Sequence, residues 1–356
     1  MSTLLMTGFP GFLASALLPR VLAKRPEAKA VCLVQGRHLD TARDRLAELQ
    51  SAHPEIEDRV SLVEGDITLP GLGIADPPSD VTEVFHLAAV YDLTVPEDVA
   101  KKVNIEGTRH VLDFCKDQPE FERLQYVSTC YVSGTFPGEF TEEMLEEGQD
   151  FNNHYESTKY EAERLVRAAG ADGMAVTIYR PGIVVGDSTT GETQKFDGPY
   201  FVATYINRLP GAVFLPDVDP SVKASLVPRD FVISAIDELS VLDTSVGRTY
   251  QLTDPNPPSA REVAEIFAGL LGRKAVYLPV KPPVLRSILA VPGLEQLTGL
   301  PAELLDYFSF TTTYSTTNTT TDLAETGLSC PSFADYAGTL LEFMRAHPEI
   351  GSGAMV

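Results

Sequence analysis

The chain has 356 residues and a formal charge of −22, with 22% charged and 44% hydrophobic side chains, enough for one large core or two lobes. The acidic balance excludes a protein built to grip a nucleic-acid backbone, which needs clustered Lys and Arg, and no apolar run of roughly 18 residues is present to cross a bilayer as a helix. Cys32, Cys115, Cys130 and Cys330 lie scattered without a C-x-x-C pair and no signal-peptide pattern opens the chain, so no metal and a reducing cytoplasmic location are expected.

The first predicted element is a short apolar strand that runs through TGFPGFLA into an apolar helix. Glycines let the backbone approach a pyrophosphate, and the helix start offers N–H groups and a positive dipole end. Ala14, at the third position, is small enough for helix–strand packing. Such a turn could serve sterics alone, but its place between strand and helix favours dinucleotide binding through Gly8, Phe9, Pro10, Gly11, Phe12 and Leu13. AKAVCLVQGR is the second strand. At its end NAD sites carry a carboxylate for the ribose 2′-hydroxyl, whereas Gln35-Gly36-Arg37 has none before Asp40. Arg37 can pair with a 2′-phosphate, which makes NADP(H) the preferred cofactor and NAD(H) the alternative.

A helix, DTARDRLAELQ, leads to the third strand, RVSLVEGDI, ending at Asp66-Ile67. The Asp66 carboxylate could accept from an adenine amino group or cap the following turn. The fourth strand, TEVFHLAAVYDL, carries Leu87, Ala88 and Ala89 where the backbone is expected close to the cofactor, and His86 is read as a hydrogen-bonded structural residue rather than a base. The next helix has Val103, Val111, Leu112 and Phe114 on its apolar face. Asn104 within it is a poor helix former, placed either to bond a neighbouring strand or to face solvent. LQYVST, the fifth strand, stops at Ser128 and Thr129.

Tyr155 and Lys159 then stand four residues apart at the start of a helix and share a face. A phenol and an ammonium can thus act on one molecule, with a hydroxyl brought in from a strand end. The alternation of strands and helices predicts an α/β, Rossmann-type doubly wound parallel sheet that binds ligands at the carboxyl ends of its strands.

Taken in order, TGFPGFLA, GDI, FHLAA, VNIEGT, YVST and YESTK resemble the extended short-chain dehydrogenase/reductase superfamily, over about residues 3 to 255. The resemblance implies Tyr155 as proton donor, Lys159 as the charge that lowers the tyrosine pKa and holds the nicotinamide ribose, and Thr129, with Ser128 next, as the hydrogen-bond donor to the substrate oxygen. It places Asn104 at the family's helix asparagine and Pro181, Gly182, Ile183 and Val184 along the nicotinamide carboxamide. Cys130-Tyr131 follows Thr129 where sugar-nucleotide dehydratases carry Asp-Glu, and Ile183 stands where epimerases carry Asn. IYRPGIVVGDSTTGETQKFDGPYF and SLVPRDFVISAI look instead like fatty acyl reductases and the thioester-reductase domains of carboxylic acid reductases.

The resemblance thus implies NADPH-dependent reduction of the carbonyl or thioester of a hydrophobic small molecule. A free aldehyde or ketone as substrate, nucleotide-sugar epimerisation and a non-catalytic NADP(H) sensor are the alternatives. Residues 1–185, with 225–255 returning to them, are expected to form the cofactor domain. Residues 186–224, which contain Gly198-Pro199-Tyr200, and 256–356 are expected to form a mostly helical substrate lobe. Ser259 and Glu262 form a predicted capping box at a helix start. The apolar, proline-broken stretch at 278–308 could be a lid, an interfacial patch or a homodimer surface. The Thr-rich segment around Tyr314 is expected to be extended, followed by short helices at 322–328 and 333–344.

Overall fold

The computed structural model describes residues 2–91, 95–209, 211–279 and 311–351; the expected lid or dimer surface lies almost wholly outside them. Seven strands form one all-parallel sheet: β1 (Thr3–Thr7), β2 (Lys29–Val34), β3 (Val60–Glu64), β4 (Val81–His86), β5 (Arg123–Val127), β7 (Val176–Pro181) and β11 (Thr249–Leu252). Their spatial order is β3-β2-β1-β4-β5-β7-β11. The chain therefore reverses direction across the sheet between β1 and β4, and that switch point opens a crevice at the strand ends. Five of the seven strands are those predicted. β7 and β11 complete the sheet, and both are buried at every residue, as strands covered on both faces must be.

Helices α1 (Phe12–Lys24), α2 (Leu39–Ala52) and α7 (Arg229–Ser240) pack with one sheet face in a cluster that includes Leu17, Leu18, Phe231 and Ile236. The opposite face holds α4 (Gly107–Lys116) and α5 (His154–Ala171), through Val111, Phe114, Ala162 and Val166. The helix predicted around Asn104 begins as α3 (Glu97–Ala100) and passes through a π-helical turn, Lys101–Glu106, before α4. Such turns recur at functional sites, where they re-aim a side chain.

A second apolar cluster is assembled from α6 (Pro199–Arg208), α8 (Ala260–Leu270) and α10 (Phe333–Ala346), with Phe267 edge-on to Phe333 at 5.4 Å. The capping box opens α8 as predicted: Ser259 N–H donates to Glu262 Oε2 at 2.6 Å, and Glu262 N–H donates to Ser259 Oγ at 3.1 Å. Three short parallel pairs complete the architecture: β6 (Gly138–Phe140) with β13 (Thr312–Tyr314), β8 (Ile183–Val185) with β10 (Leu226–Pro228), and β9 (Ala212–Pro216) with β12 (Lys274–Leu278).

The Thr-rich segment departs from expectation. Only β13 is extended; Thr317–Asp322 forms a helix, α9, and the helix expected at 322–328 is reduced to a single 3-10 turn, Ala324–Thr326. A tertiary acceptor overrides the low helix propensity of threonine. The buried Glu142 carboxylate receives Asn318 N–H at 2.6 Å and Thr319 N–H at 3.2 Å at the start of α9.

Candidate active site

A cleft of about 910 Å³ runs along the carboxyl ends of the strands. All but one of the predicted cofactor residues line it: Gly8, Phe9, Pro10, Gly11, Phe12, Leu13, Arg37, Ile67, Leu87, Ala88, Ala89, Tyr155, Lys159, Pro181, Gly182, Ile183 and Val184. Asp66 is the exception. Its carboxylate accepts Thr68 N–H at 2.8 Å, the capping alternative considered for it. Burial opposes its ionisation, but bonds from Thr68 and Gln35 and the charge of Lys102 hold its pKa below the usual value.

The residues at the switch point fit a dinucleotide. Gly8 has φ +91°, and a Cβ there would sit 2.9 Å from Ala88 N and 3.0 Å from the Leu87 carbonyl carbon, so only glycine lets β1 and β4 ends approach this closely. Gly11 caps α1 without any side-chain bond, and the first turn holds no acidic residue, leaving N–H groups and the dipole end for an anion. Arg37 is exposed at the rim beside Gln35, His38 and Thr41. At the β7 end of the cleft a Cβ on Gly182 would clash with Ser225 O, the acceptor of Ile183 N–H.

Tyr155, Lys159, Thr129 and Ser128 all reach this cleft, whereas Asn104 lies behind it. The Tyr155 phenol is buried, which raises its pKa, and a hydrogen bond with Thr129 acts in the opposite direction. Tyr91, which the sequence did not single out, packs edge-on against Tyr155 at 4.9 Å. Thr129 Oγ1 also accepts Tyr131 N–H at 3.3 Å and donates a long 3.5 Å bond to Pro181 O. Lys159 Nζ donates to Tyr126 Oη and to Val127 O, both at 2.9 Å, and burial drives its pKa down to about 7 against the opposing charge of Glu163.

Ser128 and Asn104 take supporting positions. Ser128 Oγ donates to Glu163 at 2.7 Å, and Glu163 is ion-paired with the equally buried Arg180 at 2.6 Å. This pair ties α5 to the end of β7. Asn104 Oδ1 accepts Val90 N–H at 2.9 Å, and its Nδ2 donates to Thr158 Oγ1 at 3.0 Å and to Val90 O at 3.3 Å. It therefore fixes the loop after β4 to α5: it is buried rather than facing solvent, and its partners are that loop and helix rather than a strand.

His86 is held between Thr7 Oγ1 on Nδ1, at 2.8 Å, and Thr108 Oγ1 on Nε2, at 3.2 Å. Thr7 Oγ1 already accepts Ala88 N–H and Thr108 Oγ1 already donates to Asn104 O, so the neutral tautomer protonated on Nε2 satisfies every partner. Burial, followed by the charge of Lys159, lowers its pKa to about 3, consistent with a structural role. Cys130, in the place of a dehydratase acid, is buried with its thiol pushed up to about 12 and is no acid or base at neutral pH.

Beyond the predicted set, the cleft is lined by Asn152, Lys195, Asp197, Lys223 and Tyr314. Lys195 Nζ pairs with Asp197 at 2.5 Å and sits 4.0 Å from the centre of the Tyr91 ring. Lys195 stands among polar residues, in TGETQKFD, and carried no sequence signal for the site; Tyr314 carried none either. Among the described residues no group of three or more His, Cys, Asp or Glu could hold a metal ion, and no helix is long and apolar enough to cross a membrane.

The sheet order, the glycine turn at its switch point and the grouping of Thr129, Tyr155 and Lys159 define a Rossmann-type fold of the extended short-chain dehydrogenase/reductase class. The chain belongs to the NAD-binding family described as male sterility protein, whose family model matches residues 6–236. It is 29% identical over 266 residues to a linear gramicidin synthase of Brevibacillus parabrevis, covering 71% of this chain and 5% of that protein. It is 27% identical over 273 residues to fatty acyl-CoA reductase wat of Drosophila melanogaster, covering 65% of this chain and 52% of that one. The chain thus spans a small part of the first relative and about half the length of the second. The crystal structure of the terminal R domain from the myxalamid PKS-NRPS biosynthetic pathway superposes with a TM-score of 0.82 at 27% identity, over 99% of this chain and 93% of that one.

Proposed function

We propose that the protein reduces the thioester or aldehyde carbonyl of a hydrophobic acyl substrate at the expense of NADPH. One observation carries this reading: a single cleft joins the glycine turn to Thr129 and Tyr155 and continues onto Phe201, Val202 and Val263 of α6 and α8. Apolar walls around a few convergent polar groups suit a ligand of that kind, and the relatives named above support the acyl class. Residues 1–185 and 225–255 are read as the cofactor part, and 186–224 with 256–356 as the substrate lobe.

Gly8 to Leu13 would hold the pyrophosphate and Arg37 a 2′-phosphate, with Lys159 at the nicotinamide ribose. When bound, the dinucleotide supplies a hydride for the carbonyl carbon. Thr129 orients the substrate oxygen by hydrogen bonding, and Tyr155 gives that oxygen a proton. Because burial raises its pKa, Tyr155 arrives protonated at neutral pH, as a proton donor must. For a thioester, one hydride and one proton leave a hemithioacetal, which releases the thiol to give the aldehyde. Although the chain is strongly acidic, Arg37 and Lys223 line the cleft along with the Lys195–Asp197 pair, and an anionic cofactor or acyl carrier would meet these cations there.

Tyr155→Phe tests the reading. NADPH oxidation with medium-chain aldehydes and acyl-CoA should fall by roughly 10²–10⁴-fold, while the NADPH dissociation constant stays within about twofold of wild type. Retained turnover would remove Tyr155 as proton donor. Tight NADPH binding by the wild type without oxidation across the panel would favour the sensor alternative.

A further inference from the structure

β13 runs parallel to β6 with Tyr314 opposite Phe140, and this pairing delivers a side chain from far downstream into the cleft that Thr129, Tyr131 and Tyr155 line. The Tyr314 hydroxyl lies 2.9 Å from Ser133 Oγ and also hydrogen-bonds the Cys130 side chain. Its ring stands edge-on to Tyr131 at 6.5 Å and packs on the small core of Val132, Phe140 and Leu145. Cys130 directly follows Thr129, and Thr129, Tyr155 and Tyr314 all line the same cleft.

Tyr314 is also fixed. β13 leads into α9, whose first N–H groups are held by Glu142, and the same carboxylate accepts Gln251 N–H at 3.0 Å from β11. Burial raises the Tyr314 pKa well above its ordinary value, so the group is a neutral aromatic and not a second base. A rigid ring beside the site where a carbonyl is oriented restricts what can be attached to the carbonyl carbon.

We propose that Tyr314 is a specificity-determining residue that walls the carbonyl end of the cleft and excludes substrates branched next to the reacting carbon. The proposal rests on the reductase reading above. An unbranched methylene passes the ring, whereas a methyl or aryl branch meets it. One misfitting methyl group changes discrimination by roughly 10–200-fold in sites of this type.

The test compares octanal with 2-methyloctanal on wild type and on Tyr314→Ala, Tyr314→Leu and Tyr314→Phe, with cooperative melting and NADPH binding as checks of folding. The linear-to-branched ratio of kcat/KM should fall about tenfold or more in the Ala variant, fall less in the Leu variant and hold in the Phe variant, which keeps the ring. A ratio within about twofold of wild type in folded Ala and Leu variants overturns the proposal. Calorimetric binding of octanol and 2-methyloctanol in the presence of NADPH gives the same ratio without turnover. If wild type reduces no carbonyl compound, the reductase reading falls, and the binding ratio alone upholds or overturns the wall.

Discussion

Lys159→Met should change how stability depends on pH, and the sign follows from where the ammonium sits. Lys159 is only 3% exposed, and burial lowers its pKa from 10.5 to about 7. Between those values the unfolded chain binds more protons at this site than the folded one, so wild-type stability rises with pH through the window and carries the full penalty of the buried ammonium below it. Each pKa unit corresponds to about 1.4 kcal/mol. Integrated from about pH 6 to about pH 9, the lysine alone adds about 2.7 kcal/mol to wild-type stability. Methionine removes this term. It also removes the donor to Tyr126 Oη and Val127 O, a loss that is constant with pH because neither acceptor titrates in that range. Urea unfolding of both proteins without cofactor measures the difference, and the other titrating groups cancel because both chains share them. The stability of the variant relative to wild type should decline by about 2–3 kcal/mol from the acid to the alkaline end. A difference constant to within about 0.5 kcal/mol would refute a buried, depressed lysine.

Arg37→Ala should weaken NADPH by about tenfold or more and NADH by less than about twofold, as expected for loss of one charge-assisted contact; equal effects by calorimetry would remove the basis for NADP(H). Gly8→Ala places a Cβ against Ala88 N at a φ of +91°; it should cost about 1–3 kcal/mol in urea unfolding and abolish binding of both dinucleotides, and unchanged affinity would show that the turn does not hold the pyrophosphate. Burial raises the pKa of Glu142, so its folded pKa exceeds the unfolded one and the stability tied to its protonation is present at low pH and lost as pH rises through the folded value. Glu142→Gln removes that dependence but turns an amide donor toward Gln251 N–H, Asn318 N–H or Thr319 N–H. Limited proteolysis should then release the segment after residue 311 sooner than in wild type, and equal rates would deny Glu142 its anchoring role.

The part of the site that was legible in the sequence is the part encoded locally. The glycine turn, the four-residue spacing of Tyr155 and Lys159 and the alternation of strands and helices are short-range patterns that survive as periodicity. Ser128 and Thr129 could not be told apart this way, because neighbours on a strand are equivalent until their partners are known. Glu163, through its bond to Ser128 and its ion pair with Arg180, takes up the Ser128 hydroxyl, while Thr129 keeps its bond with Tyr155. The side chains of Glu163 and Arg180 are fully buried, so removing Glu163 would strand the Arg180 charge between β5, α5 and β7, whereas Glu163 without Arg180 would keep its ion pair with Arg167 at 3.0 Å. The same holds at the far end of the chain: α9 exists where propensity argues against it because Glu142, itself short of a cation, draws its charge compensation from that helix's N–H groups. Tyr314 reaches the cleft by way of that acceptor, through a pairing between residues 138–140 and 312–314 that no local pattern announces. The chemistry near Tyr155 is therefore written in adjacent residues, whereas the boundary of the cleft depends on buried carboxylates that bring distant segments together.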